Sequence, residues 1–146
     1  MSSPLKIRLQ SDLNEARKAR DKLRTLVLSM TLSELRNLEI EMGKEAADPD
    51  TVTVLVKAAK RRKEAAEQMR SGERDDLADK EEAEAAILAG YLPEGLSEEE
   101  VRSMIREILA EGFGEMGPVM GRLMPSLKGR FDGKEANRIV LEELGR

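Results

Sequence analysis

The side chains best suited to bind another molecule are basic, and they gather near the C-terminus. Lys128 and Arg130 stand on either side of Gly129, and Lys134 follows after a short gap. The full candidate set is Arg122, Lys128, Arg130, Lys134 and Asn137. Lysine and arginine neutralise phosphates, and each such contact releases a condensed counterion. The pattern is compatible with a nucleic-acid surface, but the charges alone favour a solvated helix face.

A second basic group lies in the middle of the chain, on one predicted helix. It consists of Lys57, Lys60, Arg61, Arg62 and Lys63. Residues 1–30 are also basic, with seven Lys/Arg against three Asp/Glu. Aromatic residues make up only 2% of the chain, which disfavours stacking of single-stranded bases. Recognition of the shape and backbone of a folded RNA stays open beside a purely solubilising role.

Catalytic chemistry is restricted by the absence of two residue types, since the chain has no histidine and no cysteine. Ser-His-Asp triads, Cys-His pairs and metal sites built on either residue are excluded. The acidic residues cluster at Asp75, Asp76, Asp79, Glu81, Glu82 and Glu84. We interpret them as a solvated helix face rather than as a catalytic or Mg²⁺-binding group. We therefore predict no catalytic residue, no metal ligand and no cofactor.

Residues 112–117 satisfy G-x-G-x-x-G, the pattern of a dinucleotide-binding turn. That turn requires a strand before it and a βαβ unit around it. Here a helical pattern comes first, and no strand framework is predicted elsewhere. We interpret the glycines as a helix end followed by a turn.

Apolar residues recur at steps of three and four along almost the whole chain, which predicts an all-α fold of about seven helices. The predicted helix-start signals are Ser3-Pro4, Asp21, Asp50, Ser97, Gly117-Pro118 and Asp132. Gly43 and Gly129 are predicted to end helices. Residues 51–54 are β-branched, but we predict helix because no other strand is available to pair with them.

Pro93 and Gly95 interrupt the helical pattern and predict a joint between two lobes. Residues 1–92 would form a larger N-terminal helical lobe, and residues 93–146 a small C-terminal lobe of three helices. The second core must be aliphatic and rich in methionine, with Met124 well buried. In the first lobe, one helix face would hold Leu77, Glu81, Ala85 and Leu88.

No apolar run is long enough to span a bilayer, so no membrane association is predicted. The N-terminal residues MSSPLKIRLQ lack the apolar core of a secretory signal. A cytoplasmic location is the corresponding prediction.

Residues 121–137 read G-x-L-M-x-x-L-K-G-x-x-D-G-K-x-x-N. Upstream, the chain carries Ile40-Glu41, the EEAE run at residues 81–84, and Tyr91-Leu92-Pro93 before Leu96-Ser97. In this order and spacing the motifs resemble the GatB/YqeY family. The match extends over nearly the whole chain and is similar to the free-standing, YqeY-like members, so the whole chain would form one YqeY-like unit.

This resemblance implies a relation to the tail domain of the B subunit of aspartyl/glutamyl-tRNA amidotransferase, which contacts tRNA. The family label, carbon–nitrogen ligase with glutamine as amido-N-donor, would describe the complete amidotransferase, whose catalytic sites lie elsewhere. The resemblance thus implies a non-catalytic accessory domain that binds tRNA or another structured RNA. The alternatives are a protein-interaction module docking on an amidotransferase or aminoacyl-tRNA synthetase, and an enzyme in its own right.

Five residues of this sequence carry the family motif: Gly121, Met124, Lys128, Gly129 and Asn137. By this resemblance Gly121 and Gly129 would serve backbone geometry, and Met124 would serve the core. Lys128 and Asn137 would supply the polar chemistry.

Overall fold

A computed structural model describes residues 3–145, which form seven α-helices and no strand. The helices, numbered α1 to α7, span Pro4–Lys18, Lys22–Met42, Asp48–Ser71, Asp75–Ala89, Glu98–Ala110, Met116–Leu127 and Gly133–Glu143. The all-α prediction is confirmed, including helix rather than strand at residues 51–54. Helices α1–α4 belong to a compact unit that ends at Leu92, and α5–α7 to a second unit that begins at Pro93.

Side-chain caps fix four of the helix starts. Each cap oxygen accepts a hydrogen bond from the N–H three residues ahead, which satisfies one of the free donors of the first turn. The capping residues are Ser3, Asp21, Ser97 and Asp132, with N···O distances of 3.0, 3.0, 3.1 and 3.2 Å. The sequence predicts all four, because a cap is a local interaction.

Two helix starts differ from their predicted positions, α3 by three residues and α6 by two. Asp50 does not cap α3, which already begins at Asp48. Its carboxylate instead accepts a hydrogen bond from the Ala47 N–H at 2.9 Å, from a position inside the first turn. Likewise α6 begins at Met116, so Pro118 lies at the third helical position rather than the first. Pro49 in α3 and Pro118 in α6 are both tolerated, because the N–H groups of a first turn have no helical partner.

The first unit is built around an aliphatic core in which Tyr91 is the one aromatic member. The buried cluster consists of Leu9, Leu13, Val27, Leu28, Leu55, Ala58, Ala59, Leu88 and Tyr91. The Tyr91 hydroxyl donates to Asp12 Oδ2 at 2.5 Å and accepts from Arg24 Nη2 at 2.8 Å. Burial, together with the hydrogen bond to Asp12, raises the pKa of Tyr91 to about 12.

A buried ion pair joins α3 to α4 and corrects two predictions. Arg62, expected on a basic surface, is 7% exposed, and so is Glu84, expected on a solvated face. Arg62 Nε lies 3.6 Å from Glu84 Oε2, and Nη1 donates to the Ala58 carbonyl at 3.0 Å. Burial raises the pKa of Glu84. Both residues are buried at the contact between α3 and α4.

On α4 the predicted apolar face is rotated. Leu77, expected at the packed side, is 37% exposed, whereas Ala78 is fully buried. Ala85 and Leu88 are buried as predicted. The buried face of α4 therefore begins at Ala78 rather than at Leu77.

The second unit packs α5, α6 and α7 around a wholly aliphatic buried cluster. Its members are Val101, Ile105, Val119, Leu123, Leu127, Ala136, Ile139 and Val140. Arginines on α5 and α7 then pair with glutamates across the same helices. Arg102 contacts Glu142 at 2.6 Å, and Arg138 contacts Glu98 at 2.7 Å. Hydrogen bonding to Arg102 lowers the pKa of Glu142.

The predicted burial of Met124 is wrong, since its side chain is 36% exposed. Val119, Leu123 and Leu127 form the buried face of α6. Position 124 is rotated by one residue, about 100°, from position 123 and so lies at the edge of that face. Its methyl carbon lies near Gly133, at 3.5 Å from where a Cβ would stand.

Leu123→Ala and Met124→Ala form a matched pair that tests this rotation. Leu123→Ala removes a fully buried side chain and should lower the free energy of unfolding by about 2–5 kcal/mol. Met124→Ala should lower it by about 1 kcal/mol or less, because much of that side chain is already in water. Denaturant unfolding of the full chain measures both; equal losses would contradict the exposure of Met124.

The titration of Tyr91 can be followed without interference, because the chain has one tyrosine and no tryptophan. The ultraviolet absorbance of the phenolate should give a pKa of about 12 in the folded protein. Asp12→Asn should lower this pKa, since it removes the carboxylate that accepts from the hydroxyl and repels the phenolate. Asp76→Asn, at an exposed position of α4, is the control and should leave it unchanged.

The same pKa shift predicts how stability depends on pH. A raised pKa in the folded state means that the protonated tyrosine stabilises the fold. This contribution is complete below the unfolded value of about 10 and is lost as pH rises through about 12. Asp12→Asn should reduce the loss of stability across this window, as measured by unfolding at each pH; an unchanged profile would exclude the coupling.

Candidate nucleic-acid interface

The turn between α6 and α7 presents the first candidate surface. α6 ends at Leu127, and Gly129 then adopts a left-handed conformation with φ of 75°, as predicted. The Arg130 and Phe131 N–H groups donate back to the Leu127 carbonyl at 2.8 and 3.0 Å. The turn is thus held by backbone hydrogen bonds, and Lys128 and Lys134 lie on either side of it.

Three of the five predicted residues here are exposed and unengaged: Lys128, Lys134 and Asn137. Within residues 3–145, none of their side chains makes a hydrogen bond or an ion pair. Other cations of the same unit are paired with glutamates, as Arg102 and Arg138 show. Positive charge that the protein itself does not neutralise is available to an external anion.

Arg122 and Arg130 have partners inside the second unit. Arg122 Nη2 lies 2.6 Å from Glu111 Oε2, and its guanidinium stands over the Phe113 ring at 5.1 Å. Arg130 Nε donates to the Glu94 carbonyl at 3.0 Å. The Arg130 carbonyl in turn accepts from the Leu96 N–H at 2.9 Å. These contacts join the turn to the segment before α5, so Arg130 stabilises the fold of the second unit.

The start of α7 offers little to a phosphate through its backbone. Asp132 caps the helix and accepts from the Glu135 N–H at 3.2 Å. The Asp132 carboxylate would repel an anion at this end, and it already accepts from the N–H group that the anion would need. Binding at the α6–α7 turn therefore depends on side chains rather than on the helix N-terminus.

The second predicted surface, Lys57, Lys60, Arg61 and Lys63, is exposed on α3. Three of these cations line an open groove of about 570 Å³ between α2 and α3, and three glutamates line the same groove. Arg61 Nη2 lies 2.6 Å from Glu34 Oε1. Alternating signs reduce the potential that a polyanion would meet, so this surface is less suited to nucleic acid than the α6–α7 turn.

A third basic cluster was not predicted as a site, although residues 1–30 carry a net positive charge. Five cations lie within eight positions at the α1–α2 turn: Arg17, Lys18, Arg20, Lys22 and Arg24. All except Arg24 are exposed. The sequence signals are the density of charge and the predicted helix start at Asp21, which lies among these residues.

Gly121 has no conformational requirement, contrary to expectation. It lies in the middle of α6, it is not among the glycines with positive φ, and an added Cβ would meet no atom within 4 Å. Glycine inside a helix costs about 0.5–1 kcal/mol relative to alanine. The described residues therefore give no internal reason for glycine at this position.

Two further types of site are restricted by the structure. Within residues 3–145, no three acidic side chains converge in a way that could hold a metal ion. The same part of the chain contains no helix with the length and apolarity needed to cross a membrane.

Comparisons with known proteins place these features in a family. A family model described as Yqey-like protein matches residues 6–144. A relative in Pyrenophora tritici-repentis, named altered inheritance of mitochondria protein 41, mitochondrial, is 30% identical over 144 residues, covering 94% of this chain and 80% of its own. A protein of the same name in Lachancea thermotolerans is 31% identical over 106 residues, covering 70% of this chain and 57% of its own. The cytoplasmic location stays a prediction, since both relatives are named as mitochondrial.

A shorter similarity reaches the amidotransferases. The E subunit of the glutamyl-tRNA(Gln) amidotransferase of Thermococcus gammatolerans is 42% identical over 57 residues, which cover 34% of this chain and 9% of that protein. The resemblance inferred from the motifs is confirmed at the level of the family. With nearly its whole length matched, the chain belongs to the family of Yqey-like proteins.

Proposed function

We propose that this chain is a non-catalytic binding protein for structured RNA, with tRNA as its first candidate ligand. The α6–α7 turn is the proposed contact surface. The observation that carries this proposal is the set of unpaired polar side chains there, Lys128, Lys134 and Asn137. In the same unit Arg102 and Arg138 are paired with glutamates.

The similarity to the amidotransferase supports tRNA as the ligand to test first. The name of the matched archaeal protein contains glutamyl-tRNA(Gln), but the aligned part is 9% of its length. So small a part does not carry the activity of the whole protein. A recognition surface on a few helices is what a segment of this size can share.

Electrostatics favour backbone contacts over reading of bases. A lysine ammonium is a compact point charge that binds phosphate without a fixed geometry. Asn137 can donate from its amide to a phosphate or ribose oxygen. The one aromatic ring of the turn, that of Phe131, is partly buried and packs against the second core. Such a surface selects a folded backbone rather than a base sequence.

Association with an amidotransferase or aminoacyl-tRNA synthetase is the second candidate, and the relation to the archaeal amidotransferase favours the former. A protein that docks on such an enzyme would be captured with it from an extract treated with nuclease. Binding to RNA alone would be lost under that treatment.

Reversing the free charges tests the proposed surface. Lys128→Glu/Lys134→Glu should preserve the helical content, because both side chains are exposed and unpaired. Its affinity for tRNA should fall, and the slope of log K against log salt should flatten by about 0.7–0.9 for each lost phosphate contact. Fluorescence anisotropy with labelled tRNA at several salt concentrations measures both quantities.

Lys57→Glu/Lys63→Glu is the matched control, with the same change of net charge on exposed lysines of α3. It should reduce affinity only slightly, through the weaker long-range field. Equal losses in the two variants would show a response to net charge alone and would refute the assignment of the α6–α7 turn.

A further inference from the structure

The α1–α2 turn is one of two densely basic parts of the first unit, the other being residues 57–63 of α3. Residues 17–24 carry five cations and one carboxylate, that of Asp21. Asp21 is already engaged as the cap of α2. Arg17, Arg20 and Lys22 are exposed, and none of their side chains has a hydrogen bond or ion pair within residues 3–145.

The turn itself has an unusual residue at its critical position. Arg20 follows the end of α1 with φ of 57°, in the left-handed region. Its N–H donates to the Arg17 carbonyl at 3.2 Å, and the Asp21 N–H donates to the Ala16 carbonyl at 3.0 Å. This pair of hydrogen bonds is the Schellman motif, in which glycine is the usual residue at the left-handed position.

Arginine is an uncommon residue at a left-handed position of this chain. Gly43, Gly129 and Gly145 have positive φ and are glycines, which adopt it without steric cost. Arg20 and Glu73 are the non-glycine residues with positive φ in the described chain. The Arg20 side chain makes no hydrogen bond or ion pair within residues 3–145 that would offset this conformation. An exposed cation without an internal partner is available to an external anion.

The acidic residues of the unit do not neutralise this turn. Asp12 is occupied by Tyr91 and Arg24, and Glu15 only approaches Lys18 at 4.0 Å. The acidic residues of the α3–α4 turn lie at the start of α4, whereas Tyr91, which contacts Arg24, follows the end of α4. Helix α4 has 15 residues and is roughly 22 Å long, more than twice the Debye length at physiological salt. The charges at its start are therefore largely screened from Arg24.

We propose that the α1–α2 turn is a second RNA-binding surface, in which Arg17, Arg20 and Lys22 contact the sugar–phosphate backbone. This inference rests on the proposed function, since it names a further surface for the same class of ligand. Guanidinium groups bind phosphate oxygens through two parallel N–H donors. The turn carries no aromatic residue, so it lacks both a stacking platform for bases and an anchor for a lipid surface.

Arg20→Gly separates binding from folding, because the two properties should change in opposite directions. Glycine relieves the left-handed strain, so the midpoint of thermal unfolding should rise by about 2–8 °C. Loss of one phosphate contact should weaken tRNA binding about fivefold at 0.15 M salt and flatten the salt slope by about 0.7–0.9. Arg17→Gln/Lys22→Gln should weaken binding further without the gain in stability.

Glu73→Gly is the matched control. Glu73 occupies the same left-handed position at the end of α3, and the Arg74 N–H closes its motif by donating to the Met69 carbonyl at 2.8 Å. This variant should show a similar rise in unfolding temperature with no loss of tRNA affinity. An Arg20→Gly protein that is stabilised but binds tRNA with unchanged affinity and slope would overturn the inference.

The two surfaces can fail independently. If Lys128→Glu/Lys134→Glu binds like the unaltered protein while Arg20→Gly binds weakly, the α1–α2 surface holds and the α6–α7 surface falls. The reverse result retains the proposed function and overturns this inference. If the unaltered chain does not retard tRNA, or if Arg20→Gly affects only binding to anionic vesicles, the α1–α2 turn is not an RNA surface.

Discussion

Single residues in the left-handed conformation allow the helices of this chain to reverse direction. The exposed cations of the α1–α2 and α6–α7 turns lie beside two such residues, Arg20 and Gly129. A helix that ends in a Schellman-type turn satisfies its last carbonyls and lets the next helix begin within a few residues. At the α6–α7 turn the left-handed Gly129 closes a tighter turn, in which the Arg130 N–H donates to the Leu127 carbonyl, and Lys128 and Lys134 lie on its two sides. At the α1–α2 turn Arg20 closes the Schellman motif and is also one of the exposed cations.

Most arginines of the second unit are structural, so a count of basic residues overestimates the positive surface. Arg102 and Arg138 tie α5 to α7 through Glu98 and Glu142, and Arg130 fastens the α6–α7 turn. Exposed ion pairs contribute little stability each, but shared partners hold the side chains in place. The lysines beside the turn, having no such partner, are left for an external anion. The paired arginines and the unpaired lysines thus differ in whether a carboxylate of the same unit neutralises them.

Local signals were predictable from the sequence, and burial was not. Caps such as Asp21 and Asp132 involve residues three positions apart, so their spacing is sufficient. Met124 and Leu77 were assigned to buried faces from helical periodicity, but a rotation of one residue decides exposure, and neighbouring helices set it. Arg62 and Glu84 meet only because α3 packs on α4. Arg20 was overlooked because a left-handed arginine has no sequence signature, whereas Gly129 has one.

The limited extent of the similarity to the amidotransferase narrows what the two proteins can share. The shared stretch covers 9% of that protein, which is long enough to contain a helical surface. The chain has no histidine and no cysteine, which is consistent with a binding surface of this kind. Yqey-like similarity covers residues 6–144, which include helices α1–α4 of the first unit. The α1–α2 surface that we propose gives those four helices a part in binding that the α6–α7 turn does not supply.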